Sequence, residues 1–137
     1  MKKIFLDTNI LIDLIVERQP HLTTLQETLP YLNPSQIYLS TLSIHIIYYV
    51  LKIKKDSKLD KRVQTVCSKI NLVPLTPSIT LQAINTYLTD FEDTLQYYSA
   101  LDQDCDYILT RNIRDFNKLK KQISSDTQIV DTLKDIL

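Results

Sequence analysis

Short apolar segments of β character alternate with longer amphipathic segments along this chain, and that alternation narrows the fold more than any other feature. Strands separated by helix-length segments cannot pair as hairpins. They pair in parallel, with the intervening helices covering both faces of the sheet. Residues 3–6, 37–39, 107–109 and 128–130 read as strands, and residues 72–73 as a further edge piece. The expected fold is therefore α/β, a three-layer α/β/α sandwich with a central, mainly parallel sheet.

The helical segments carry 3.6-residue periodicity. Ile10, Leu11, Leu14 and Ile15 follow Asn9, a good N-cap type. Leu22, Leu25, Leu29 and Leu32 mark a second helix that runs until Asn33-Pro34, and Ile44, Ile47, Tyr48 and Leu51 a third. Residues 59–70, 79–88 and 91–101 give three more, and helical turns are expected around 113–121 and 131–136. No repeat, linker or low-complexity stretch interrupts the 137 residues, so a single domain over 1–137 is expected. Glycine is absent, which leaves the turns to Asn, Asp and Pro.

Composition excludes several classes. With 44% hydrophobic and 23% charged residues the chain is neither disordered nor membrane-spanning in character. The apolar N-terminus is broken by Asp7, Asn9 and Asp13, unlike a signal peptide, so a cytoplasmic protein is expected. Cys67 and Cys105 have no CxxC or His partner nearby and read as reduced structural thiols. Sixteen basic and sixteen acidic residues cancel, so any polyanion must be held locally. The local basic runs are Lys52, Lys54, Lys55, Lys58, Lys61 and Arg62, and then Arg111, Arg114, Lys118, Lys120 and Lys121. Both read first as solvated helix faces.

Ligands of open parallel sheets collect at the carboxyl ends of the strands. The first strand delivers Asp7-Thr8-Asn9 to that edge, and the strand at 107–109 delivers Thr110-Arg111-Asn112 to the same edge if the two are parallel. Asp90-Phe91-Glu92-Asp93 opens a helix, where acids favour the positive end of the dipole. A carboxylate there that faces Asp7 would need a cation to offset repulsion, and hard ions such as Mg²⁺ or Mn²⁺ suit oxygen ligands. Asp13 reads as a helix-surface acid. Tyr97 and Tyr98 read as the core and surface halves of one helix, with base stacking as an alternative use.

These residues resemble a known family. Phe5-Leu6-Asp7-Thr8-Asn9-Ile10-Leu11-Ile12-Asp13 is similar to the opening strand and turn of PIN domains, Asp93-Thr94-Leu95-Gln96-Tyr97-Tyr98-Ser99-Ala100-Leu101 to their acidic helix, and Ile108-Leu109-Thr110-Arg111-Asn112-Ile113-Arg114-Asp115-Phe116 to their closing strand and loop. The layout suits the subgroup whose last motif reads Thr-Arg-Asn followed by Asp-Phe. The resemblance implies a Mg²⁺- or Mn²⁺-dependent ribonuclease, many relatives being toxins of toxin–antitoxin pairs, with RNA as substrate, an antitoxin protein as partner and a homodimer as the working state. It implies Asp7 and Asp93 as catalytic metal ligands with Asn112 and Asp115 beside them, Asn9 and Glu92 as auxiliaries, and Arg111 and Arg114 on substrate phosphates.

One departure stands out. The glutamate that PIN nucleases place in the helix after the second strand falls, in register with Ser40 and Tyr48-Tyr49, on Ile46. His45 is adjacent but about 100° away round the helix. The fourth acid corresponds to Asn112. A degenerate PIN-fold module that binds RNA or a protein therefore stands as the alternative, and a phosphatase of the Asp-x-Asp type is disfavoured because Asn9 replaces the second carboxylate.

Overall fold

The structure is a computed structural model, and it describes residues 1–134 and 136. Five strands form one sheet: β1 (Ile4–Leu6), β2 (Ile37–Ser40), β3 (Asn71–Val73), β4 (Tyr107–Leu109) and β5 (Gln128–Val130), in the order β3-β2-β1-β4-β5. Every pairing is parallel. Seven α-helices are present among the described residues: α1 (Thr8–Val16), α2 (His21–Gln26), α3 (Thr41–Val50), α4 (Lys58–Cys67), α5 (Pro77–Thr86), α6 (Phe91–Asp102) and α7 (Ile113–Gln122).

Side-chain alternation along β1 creates the three layers. Ile4 and Leu6 point to one face, where with Ile37, Leu39 and Leu109 they pack against Ile10 and Leu11 of α1, Leu25 of α2, Ile47 of α3 and Val63 of α4. Phe5 points to the other face and packs with Ile108, Val73, Tyr97 and Ala100 of α6, and Phe116 and Leu119 of α7. Helix α5 covers α6 through Ile79, Ala83, Leu95 and Tyr98. The three-layer α/β/α arrangement expected from the alternation is the one observed.

The differences are local and have causes. The α1 N-cap is Asp7 rather than Asn9, because the Asp7 carboxylate accepts the Thr8 N–H at 2.8 Å. Helix α2 stops at Gln26, and Leu29–Tyr31 and Pro34–Gln36 form short 3₁₀ turns instead. Pro30 lacks the N–H an α-helix requires and restricts the residue before it. Residues 131–134 and 136 form turns without a helix, although Leu133 is buried against the core; position 135 of the expected terminal turns lies outside the described residues.

Candidate active site

Parallel register brings three strand ends together. Leu6 stands opposite Leu39 on one side and Leu109 on the other, so Asp7, Ser40 and Thr110 leave the sheet side by side. The Asp7 N–H still donates to the Leu109 carbonyl at 3.0 Å. Asp7 is 2% exposed, and its two oxygens accept from the Thr8 N–H and, at 2.8 Å, from the Thr110 hydroxyl. Burial pushes its carboxyl above the ordinary range, against the pull of those hydrogen bonds, and Asp90 adds repulsion.

Asp93 sits in the first turn of α6, which Asp90 caps by accepting the Asp93 N–H. Its Oδ2 accepts from the Asn112 amide at 2.8 Å, and the same amide donates to Asp115 at 3.0 Å. The Asp93 carboxyl is pushed up to about 7, first by burial and then by the charges of Asp90, Asp7, Glu92 and Asp115. Glu92 is raised as well, by burial and by Asp7 and Asp90. Asn112 thus ties Asp93 to Asp115, and Asp7 and Glu92 lie close enough for their charges to act on Asp93. Asn9 is exposed on the first turn of α1, and Arg114 is exposed on α7.

Two placements differ from expectation. Asp13 is no surface acid: it is fully buried and grips Arg111, whose Nε donates at 2.9 Å and Nη2 at 3.2 Å. Tyr97 and Tyr98 are both buried, at 0% and 9% exposure, which removes them from base stacking. Tyr97 instead donates to the Ile123 carbonyl.

Other residues complete the site without having been singled out. Asp90 reads by sequence as an acid at a helix start; in the structure it caps α6, and its charge acts on Asp7, Glu92 and Asp93. Thr110 fixes the Asp7 carboxylate and also accepts the Asn112 N–H at 2.9 Å. Beneath them Gln96 donates to Thr8 and Ser43, whose hydroxyls bond each other at 2.7 Å, all fully or almost fully buried. The Gln96 Oε1 has no partner among the described residues, a cost of about 1–3 kcal/mol. A cleft lined by Leu88, Thr89, Asp90, Asp93, Asp115 and Lys118 opens onto the acids, which puts one lysine of the second basic run at its edge.

The donor set is chemically suited to a hard divalent ion: carboxylates crowded enough to hold one of their number partly protonated near neutrality. No three acidic, His or Cys side chains converge on one point among the described residues. Asp7 and Asp93 would suit Mg²⁺, which is commonly held by one or two carboxylates and keeps several waters.

A family model described as PIN domain matches residues 3–114. The chain belongs to the PIN domain family. The matched span runs from β1 through Arg114 and so contains Asp7, Asp93 and Asn112, ending just before Asp115. Among solved structures this PIN domain is similar to VapC20 of Mycobacterium tuberculosis, described as a sarcin–ricin-loop-cleaving toxin, with a TM-score of 0.68 at 13% identity over 85% of this chain and 95% of that one. It is also similar to VapBC2 of Rickettsia felis, bound to a promoter DNA fragment (0.66, 18%, 93% and 96%), and to DNA-bound VapBC of Salmonella typhimurium (0.64, 20%, 95% and 98%). At these identities the likeness shows the fold. No curated protein matches the chain.

Raised carboxyls give a pH prediction. The folded protein holds the Asp93 proton more tightly than the unfolded chain, so between the ordinary value of 3.8 and about 7 it carries the extra proton. Stability of the metal-free protein therefore falls as pH rises through that window. Thermal unfolding in chelator from pH 5 to 8 should show the wild-type melting temperature dropping relative to Asp93→Asn. Parallel curves would contradict it.

Proposed function

We propose that this PIN domain, acting as one unit over residues 1–137, is a Mg²⁺- or Mn²⁺-dependent ribonuclease of the Thr-Arg-Asn…Asp-Phe subgroup and the toxin of a toxin–antitoxin pair. One observation carries the reading: Thr110 and Asn112, two residues of one loop, hold Asp7 and Asp93 at the carboxyl edge of the sheet, where burial and neighbouring charge raise Asp93 to about 7. A similar structure described as a sarcin–ricin-loop-cleaving toxin supports cleavage rather than binding alone. Other similar structures are described as a toxin–antitoxin complex and as VapBC bound to DNA, which supports an antitoxin partner.

Asp7 and Asp93 would hold the ion, which when bound supplies a water of lowered pKa and offsets charge developing on the phosphate. Thr110 keeps Asp7 in one orientation. Asn112 presents its amide N–H₂ between Asp93 and Asp115, tempering their repulsion until an ion does so, and an amide turned over would offer its oxygen. Lys118, which lines the cleft with Asp93 and Asp115, and Arg114, exposed in the first turn of α7, would contact substrate phosphates, with Asn9 and Glu92 lending polar contacts at the edge.

No helix among the described residues is long and apolar enough to cross a membrane. The toxin reading puts the protein in the cytoplasm, where its RNA substrate is. For self-association as a homodimer, the apolar side chains within residues 22–32 and 42–51 offer Tyr31, Tyr49 and Val50, which are exposed, whereas Leu22 and Leu25 are buried. Light scattering at high micromolar concentration should report twice the chain mass.

The test of activity is cleavage of RNA that requires millimolar Mn²⁺ or Mg²⁺ and stops in chelator. A second reading, a binding module that has lost catalysis, is favoured by Ile46, which leaves α3 without the family's carboxylate. RNA binding without cleavage at any metal concentration would select it.

A further inference from the structure

We propose that the Asp13–Arg111 ion pair is a positioning device that holds the closing loop of the site, so that Arg111 acts through its neighbours rather than on substrate. The inference rests on the nuclease reading of Asp7 and Asp93 for its catalytic part only. Asp13 lies on α1, the helix that Asp7 caps, and is fully buried. A buried carboxylate is costly unless paired and hydrogen-bonded. Arg111 meets that need with two N–H groups of one guanidinium, at 2.9 and 3.2 Å, while Arg18 stands further off at 3.7 Å. A planar fork on a carboxylate fixes orientation as well as position, which a lysine cannot do.

The consequence follows from where Arg111 sits in the chain. Thr110 on one side donates to Asp7, and Asn112 on the other donates to Asp93 and Asp115. Three consecutive residues therefore touch four carboxylates. The stretch belongs to neither β4 nor α7, and Asn112 has the irregular backbone angles φ −100° and ψ 53° without capping α7 through its side chain. Its backbone is tied at the ends, by Thr110 N–H to Val130 and by Phe116 N–H to Asn112. Between those ties the Asp13 fork restrains the loop through two bonds to one carboxylate. Moving Arg111 onto a phosphate would leave Asp13 buried against the more distant Arg18 alone, so the phosphate role passes to Arg114, exposed on the next turn.

The experiment compares wild type with Arg111→Gln, Arg111→Lys, Asp13→Asn and the double variant Asp13→Asn/Arg111→Gln, by amide exchange and by RNA cleavage in Mn²⁺. Protection of the Asn112 N–H, which bonds Thr110, should fall about tenfold or more in Arg111→Gln, while that of Asp7, bonded to Leu109, holds. Turnover should drop about 10–100-fold with KM changed little, as misplacement of catalytic groups does. Arg111→Lys should behave like Arg111→Gln, and the double variant should be no worse than the worse single one. Arg111 lies at the solvent edge, so its variants carry the test if Asp13→Asn fails to fold. A raised KM with unchanged turnover and unchanged Asn112 exchange would overturn the clamp and make Arg111 a phosphate contact. If wild type cleaves no RNA, the exchange result still decides the clamp, and only the nuclease reading is lost.

Discussion

Asp7→Asn and Asp93→Asn should each lower RNA cleavage in Mn²⁺ by roughly a thousandfold, equivalent to about 4 kcal/mol of transition-state stabilisation. Each replacement keeps side-chain volume and an oxygen acceptor, so the Thr110 bond to residue 7 and the Asn112 bond to residue 93 can persist. What is removed is charge. In the metal-free protein that removal is favourable at position 93, where burial and the charges of Asp90, Asp7, Glu92 and Asp115 oppose ionisation. Asp93→Asn should therefore be inactive yet more stable at pH 8, by about 1–2 kcal/mol or several degrees in melting temperature. Opposite movement of activity and stability is the pattern of a site held under electrostatic strain for a ligand. Wild-type cleavage rates in either variant would sink the assignment of these two acids. Loss of activity with loss of fold would not support it, which is why the melting curves belong to the same experiment.

Strands β1, β2 and β4 were readable because each is a short, largely apolar run between helical patterns, and burial leaves such runs little alternative. The layers followed from one alternation, Ile4 and Leu6 against Phe5, which the structure divides between two cores. Boundaries were less readable. Leucine periodicity through residues 22–32 suggested one helix, whereas Pro30 divides it, a case in which backbone chemistry overrides side-chain pattern.

Within the site, the acids were visible as residue types at strand and helix ends, but their partners were not. Nothing in the spacing of Asp13 and Arg111, 98 residues apart, says that one is buried and the other is its counter-ion. Asp13 occupies a position on α1 flanked by apolar residues, and the return of the β4 loop over that helix brings the guanidinium that bonds it. The same holds for Gln96, Thr8 and Ser43, whose contact depends on three elements meeting below the sheet edge. Asp90 was legible as an acid opening a helix, and its role as a charge on Asp93 follows from tertiary closeness alone.

Ile46→Glu should strengthen Mn²⁺ binding about tenfold, or roughly 1.4 kcal/mol, because it returns a carboxylate to a site short of one. The geometry favours this. Helix α3 starts from Ser40, beside Asp7 at the sheet edge, and Ser43 in its first turn touches Thr8 and Gln96. Residue 46 lies three positions on, on the face that Ser43 shares, and helical side chains lean back toward the N-terminus. A glutamate there reaches toward Asp7 and Asp93, whereas His45 is exposed and turned aside. Ile46 is half-buried and belongs to none of the three apolar clusters among the described residues, so the substitution should not bury an unpaired charge. The metal-free variant should melt lower, since a further negative charge joins those already raising Asp93, and saturating Mn²⁺ should more than restore it, as binding to the folded state alone requires. Calorimetric titration and paired melting curves measure the two effects separately. Unchanged Mn²⁺ affinity would mean that residue 46 does not face the acids. The absence of the family's glutamate would then say nothing about catalysis, and the binding-module reading would lose the one feature that favours it.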